Sequence, residues 1–63
     1  KPIYYVRAII PGRVWLTLQD GSTLTLGMGD KLVGYGVITA IDPNQGTITL
    51  SSGAIIGYNP DDR

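Results

Sequence analysis

Arg13-Val14-Trp15-Leu16-Thr17-Leu18-Gln19-Asp20-Gly21-Ser22-Thr23-Leu24-Thr25-Leu26 is the stretch that decides the fold. From Arg13 to Gln19, apolar Val14, Leu16 and Leu18 alternate with Arg13, Trp15, Thr17 and Gln19. A period of two is the signature of a strand with one buried face, because successive side chains of an extended chain point to opposite sides. Asp20-Gly21 interrupts the pattern, and Ser22 to Leu26 resumes it with Leu24 and Leu26 inward and Thr23 and Thr25 outward. Two alternating runs joined by an Asp-Gly turn predict a β-hairpin.

Working outward, Ile3 to Ile10 is rich in β-branched and aromatic residues and stops at Pro11-Gly12, which predicts a strand and a turn. Gly27-Met28-Gly29-Asp30 and Gly34-Tyr35-Gly36 enclose Lys31 to Val33 as a short extended segment or a connector between the two halves, the second glycine pair marking a bend between sheets. Val37 to Asp42 is a further strand closed by Pro43-Asn44-Gln45-Gly46, and Thr47 to Ser51 alternates again to form a second hairpin. Ser52-Gly53 leads to a last strand from Ala54 to Tyr58, ended by Asn59-Pro60, with 59–63 expected to fray. The expected fold is all-β, a small six-stranded β-sandwich or partly open β-barrel built from hairpins. The two hairpins share a rhythm, but no repeat of fixed period is visible.

Sixty-three residues form one small domain, too small for a second core or a deep cleft. Five Lys and Arg balance five Asp and Glu, so no net field recruits nucleic acid or an anionic membrane. Cysteine and histidine are absent, which removes disulfides, thiolate nucleophiles, cysteine and histidine zinc ligands and the commonest general base. Six threonines and three serines supply hydroxyls, yet none has an evident activator. The expectation is therefore no enzyme, no cofactor and no metal.

Several motifs reduce to turn chemistry. Gly27-Met28-Gly29-Asp30-Lys31 lacks the glycine spacing, the Lys-Ser/Thr pair and the helix of a phosphate loop. Gly34-Tyr35-Gly36 is followed by no strand-to-helix junction of a dinucleotide site. Asp20, Asp30 and Asp42 each adjoin turn residues, where a short carboxylate caps backbone N–H groups.

The aromatic set of Tyr4, Tyr5, Trp15, Tyr35 and Tyr58 carries the remaining candidates. Trp15 shares a strand face with Arg13, Thr17 and Gln19, so it either covers the barrel end or the second sheet, or contacts a partner. Such a face can stack single-stranded bases, as small OB-like barrels do, but a neutral chain lacks the basic groove that those proteins add. Arg13, Trp15, Thr17 and Tyr35 are the candidate partner-contact residues.

A resemblance adds to this reading. Arg7-Ala8-Ile9-Ile10-Pro11-Gly12-Arg13-Val14-Trp15-Leu16, then Asp20-Gly21 with Thr23 to Leu26, Gly29-Asp30, Gly34-Tyr35-Gly36 with Val37, Ala40-Ile41-Asp42, and Gly46 to Gly53 with Ile55 span nearly the whole chain. Together they resemble the periplasmic C-terminal β-domain of type IVB secretion and conjugation inner-membrane components, of the DotF/IcmG and TraP kind. There is a looser similarity to the PilP and GspC homology-region domains. The resemblance implies a structural domain on the periplasmic side of the inner membrane, held by an anchor outside these residues and docking to other subunits of an envelope-spanning complex. It brings no catalytic residues. A chain that begins Lys1-Pro2 and ends Asp61-Asp62-Arg63 is expected to be a piece of a longer protein. Short edge strands leave backbone groups to which a partner strand or a second copy can add. The alternatives are an OB-like binder of single-stranded nucleic acid or another ligand, and a structural domain of a phage or other particle.

Overall fold

The computed structural model describes residues 3–59. It is all-β, with seven strands: β1 (Tyr4–Ile10), β2 (Arg13–Leu18), β3 (Thr23–Gly27), β4 (Lys31–Leu32), β5 (Gly36–Asp42), β6 (Thr47–Leu50) and β7 (Ile55–Ile56). They form two antiparallel sheets, β1-β2-β3 and β4-β5-β6-β7. Two seams join the sheets. The Val6 N–H donates to the Gly57 carbonyl at 2.9 Å, and a parallel bridge pairs Val6 with Tyr58. On the other side the Gly29 N–H donates to the Ile38 carbonyl and the Ile38 N–H to the Asp30 carbonyl, both at 2.9 Å. The result lies between a sandwich and a curled barrel, as the spacing of strands and turns predicts.

Lys31 to Val33, read as a short extended segment or connector, begins with a seventh strand where six were expected: β4 pairs with β5 through Lys31 opposite Val37 and Leu32 opposite Gly36. Two residues of strand give no periodicity to read, so only the tertiary pairing reveals it. Gly34-Tyr35-Gly36 accordingly closes the β4–β5 hairpin, with the Tyr35 N–H donating to the Leu32 carbonyl at 3.0 Å. It is a bend within one sheet; the chain crosses between sheets at residues 28–30. Of the tail expected to fray, Asn59 is half-buried and residues 60–63 lie outside the described residues.

The two halves of the chain repeat each other. Val6 faces Leu16 and Ile9 faces Val14 in the first half; Ile38 faces Leu50 and Ile41 faces Ile48 in the second. Val14 then pairs with Leu26 as Ile48 pairs with Ile56. Both first strands carry a bulge at the same place, between Val6 and Ala8 in β1 and between Ile38 and Ala40 in β5. The hairpin that follows turns identically. The Gly21 N–H donates to the Leu18 carbonyl at 3.0 Å and, in a turn reached two residues sooner after the matched core leucine, the Gly53 N–H donates to the Leu50 carbonyl at 2.8 Å; Gly21 and Gly53 hold φ of 89° and 93°. This is the three-residue loop that ends in a left-handed glycine. The correspondence escapes a search for fixed period because the β5–β6 turn is two residues longer than Pro11-Gly12, while the β6–β7 hairpin is shorter than its counterpart. Each half also gives its last residues to the first strand of the other, which is what the two seams are.

The core is one cluster: Tyr4, Val6, Val14, Leu16, Leu32, Ile38, Ile48, Leu50 and Ile56. Val6, Val14 and Leu16 are matched by Ile38, Ile48 and Leu50, so the halves contribute equivalent stripes. Fully burying each such side chain stabilises by about 1.5–3 kcal/mol, which makes this cluster the main source of stability in so small a domain.

Candidate functional site

β2 is the central strand of its sheet, and its outward side chains are Arg13, Trp15 and Thr17, with Arg13 exposed and the other two half-buried. Val14 and Leu16, between them, are fully buried on the other face, so Trp15 covers neither the core nor the second sheet. Trp15 stands opposite Ala8 on β1 and Thr25 on β3; Thr17 stands opposite Tyr5 and Thr23; Arg13 stands opposite Ile10 and Gly27. Small neighbours thus flank the indole, and nothing larger than threonine faces it across either strand.

The β1 bulge adds a residue that alternation does not assign to this face. Because Val6 and Ile9 both serve the core, the two residues between them, Arg7 and Ala8, both project outward. Arg7 is exposed beside Ala8, on the side of Trp15 away from Arg13. Arg7 and Arg13 thus occupy exposed positions of this face on either side of Trp15, the single tryptophan of the chain.

Tyr35 does not join this face. It sits in the β4–β5 turn, packed against the core, with its ring edge-on to Tyr4 at a centroid distance of 5.8 Å and an interplanar angle of 73°. That geometry is a favourable aromatic contact that anchors the β4–β5 hairpin.

The carboxylates are bound to the turns they cap, and one of them, Asp30, lies at the Arg13 end of this face, on Gly27 opposite Arg13. Asp20 Oδ1 accepts from the Ser22 N–H at 2.9 Å and the Ser22 hydroxyl at 2.6 Å. Those bonds, the hydroxyl's first, hold the Asp20 carboxyl below its ordinary value. Asp30 Oδ2 accepts from the Gly27 N–H at 2.8 Å, and Asp42 Oδ1 from Asn44 and Gln45 N–H groups at 3.0 and 3.2 Å. All three are the turn caps that their sequence contexts predict. A shallow concavity of about 240 Å³ is lined by Ile3, Leu18, Gln19 and Asp20, and its one titratable group is the Asp20 already bound to Ser22. Among the described residues no three His, Cys, Asp or Glu side chains gather to hold a metal ion.

No family model matches the chain, and no curated protein matches it. The internal repeat supplies the comparison instead. The outer face of β5-β6-β7 has the same register as that of β1-β2-β3, so Trp15 corresponds to Thr49, Arg13 to Thr47, Arg7 to Thr39, Tyr5 to Val37 and Thr25 to Ile55. Equivalent backbone positions thus carry arginine, tryptophan and tyrosine on one face, and threonine, valine and isoleucine on the other. The scaffold does not require the first set, since the second builds the same strands.

Proposed function

We propose that this domain is a non-enzymatic interaction module of a bacterial envelope-spanning secretion or conjugation complex, acting on the periplasmic side of the inner membrane. It docks to other subunits through the outer face of β1-β2-β3. The observation that carries the docking role is the difference between the two repeated faces: Arg7, Arg13 and Trp15 occupy positions where the other half has Thr39, Thr47 and Thr49. Tryptophan and arginine are the side chains most enriched at the energetic centres of protein interfaces. The place in a secretion complex rests on the sequence resemblance.

The test is co-purification of the domain, expressed with its natural upstream sequence, from an envelope fraction, beside the Trp15→Ala variant. Enrichment of secretion-complex subunits that the variant loses supports the proposal. Recovery of the same subunits by a folded Trp15→Ala protein sinks the docking role. Recovery of nucleic acid in their place favours the OB-like alternative, for which Arg7 and Arg13 supply the cations and Trp15 the stacking platform.

A further inference from the structure

The chemistry of the partner follows from the charges around Trp15. Among the described residues Arg7 and Arg13 are exposed and form no ion pair; Asp20 and Asp42 cap turns away from Trp15, and Asp30, on Gly27 opposite Arg13, is held by the Gly27 N–H without pairing with the guanidinium group. A partner that covers Trp15 also takes water from both guanidinium groups, and a desolvated charge left without a counter-charge is strongly unfavourable. We infer that the segment received on this face is an acidic, extended polypeptide whose carboxylates meet Arg7 and Arg13 on either side of the indole. The inference rests on the docking role proposed above and names the partner's chemistry.

Three features favour a polypeptide carboxylate. The guanidinium fork matches a carboxylate through two parallel hydrogen bonds, which makes arginine suited to such a contact. By strand spacing Arg7 and Arg13 stand roughly 10 Å apart with Trp15 between them, within reach of acidic residues two or three apart in an extended chain. Two cations on a sheet face release few counterions from a phosphate backbone, whereas nucleic-acid affinity grows with the number of phosphates neutralised. The repeated face is the built-in reference: Thr39 and Thr47, at the positions of Arg7 and Arg13, bring no charge.

The experiment is site-specific photo-cross-linking in cells that contain the intact complex. p-Benzoylphenylalanine replaces Thr25, which faces Trp15 from β3, or Ile55, its counterpart on the other face. The cross-linked peptide is identified by mass spectrometry. The expected result is cross-linking from position 25 to a segment with at least two carboxylates. Its yield falls about tenfold or more in the Arg7→Glu/Arg13→Glu variant and in about 0.5 M salt. Should the charge-reversed variant fail to fold by circular dichroism, Arg7→Gln/Arg13→Gln takes its place with a smaller expected loss. A cross-linked segment without acidic residues overturns the inference. So does cross-linking that survives both arginine substitutions but not Trp15→Ala, an outcome that leaves the docking role standing. Cross-linking to nucleic acid, to residues 60–63 of the same chain or to a second copy also overturns it. Cross-linking from position 55 alone overturns the docking role itself.

Discussion

The ring of Tyr58 rests on Gly46, so close that a β-carbon built on Gly46 would overlap it. Gly46 also holds φ of +72°, a left-handed conformation that side chains rarely adopt. Its counterpart in the first half, Gly12, has φ of +84° but open space where a β-carbon would stand. The repeat thus separates strain from crowding. Gly12→Ala is expected to cost about 1 kcal/mol through backbone strain alone, and Gly46→Ala about 2 kcal/mol or more. Adding Tyr58→Ala to Gly46→Ala should make the two changes non-additive by relieving the overlap. Urea titrations of the wild type, Gly12→Ala, Gly46→Ala, Tyr58→Ala and the double variant decide it, and equal costs at positions 12 and 46 would remove the crowding argument.

Leu16 and Leu50 are matched core residues, at 0% and 1% exposure. Leu16→Ala and Leu50→Ala are each expected to destabilise by about 3 kcal/mol, the cost of lost burial plus a residual cavity. That is a large share of the few kcal/mol expected of a chain this short. Equilibrium unfolding by urea, followed by circular dichroism, checks both. A tolerated substitution at one site and unfolding at the other would show that the halves do not share the core equally.

Acid should act on Asp20 in a defined direction. Its folded value lies below the ordinary 3.8, first because of the Ser22 hydroxyl and then the Ser22 backbone N–H. A group held lower in the folded state contributes its stability in full above the unfolded value and loses it as pH falls through the folded one. The contribution therefore fades below about pH 4. Ser22→Ala should move the Asp20 titration upward toward the ordinary value, read by NMR of its carboxyl carbon. An unmoved titration would refute the assigned cause.

Trp15 is the sole tryptophan, so its fluorescence reports on the candidate face. With Arg7 and Arg13 on either side, iodide should quench it more efficiently than caesium does, because the local field gathers anions. The preference should shrink by about half or more in Arg7→Gln/Arg13→Gln and fade with added salt. Quenching indifferent to the sign of the ion would place the arginines away from the indole.

Most of the strand content is legible from the chain itself. Alternation through Val14, Leu16 and Leu18 assigns the buried face of β2, and Asp20, Asp30 and Asp42 announce the turns they cap. Arg13, Trp15 and Thr17 fall on one face by the same alternation. Tyr35 joins them in the sequence only as another aromatic, and the fold sets it against Tyr4, because proximity between sheets is not encoded in local spacing. Arg7 joins Trp15 only through the bulge, which strict alternation does not contain.

What the sequence determined alone is therefore what depends on neighbours along the chain: which side chains share a strand face, and where glycine, proline and aspartate turn the backbone. These follow from the two-residue period of an extended chain and the conformational limits of single residues. The tertiary structure decided the pairing of β4, the two seams, the repeat hidden by unequal turns, and the gathering of Arg7 and Arg13 around Trp15. Those features arise because two sheets must bend around one small core, and bulges at Val6/Ala8 and Ile38/Ala40 fall where that wrapping keeps Val6, Ile9, Ile38 and Ile41 turned inward.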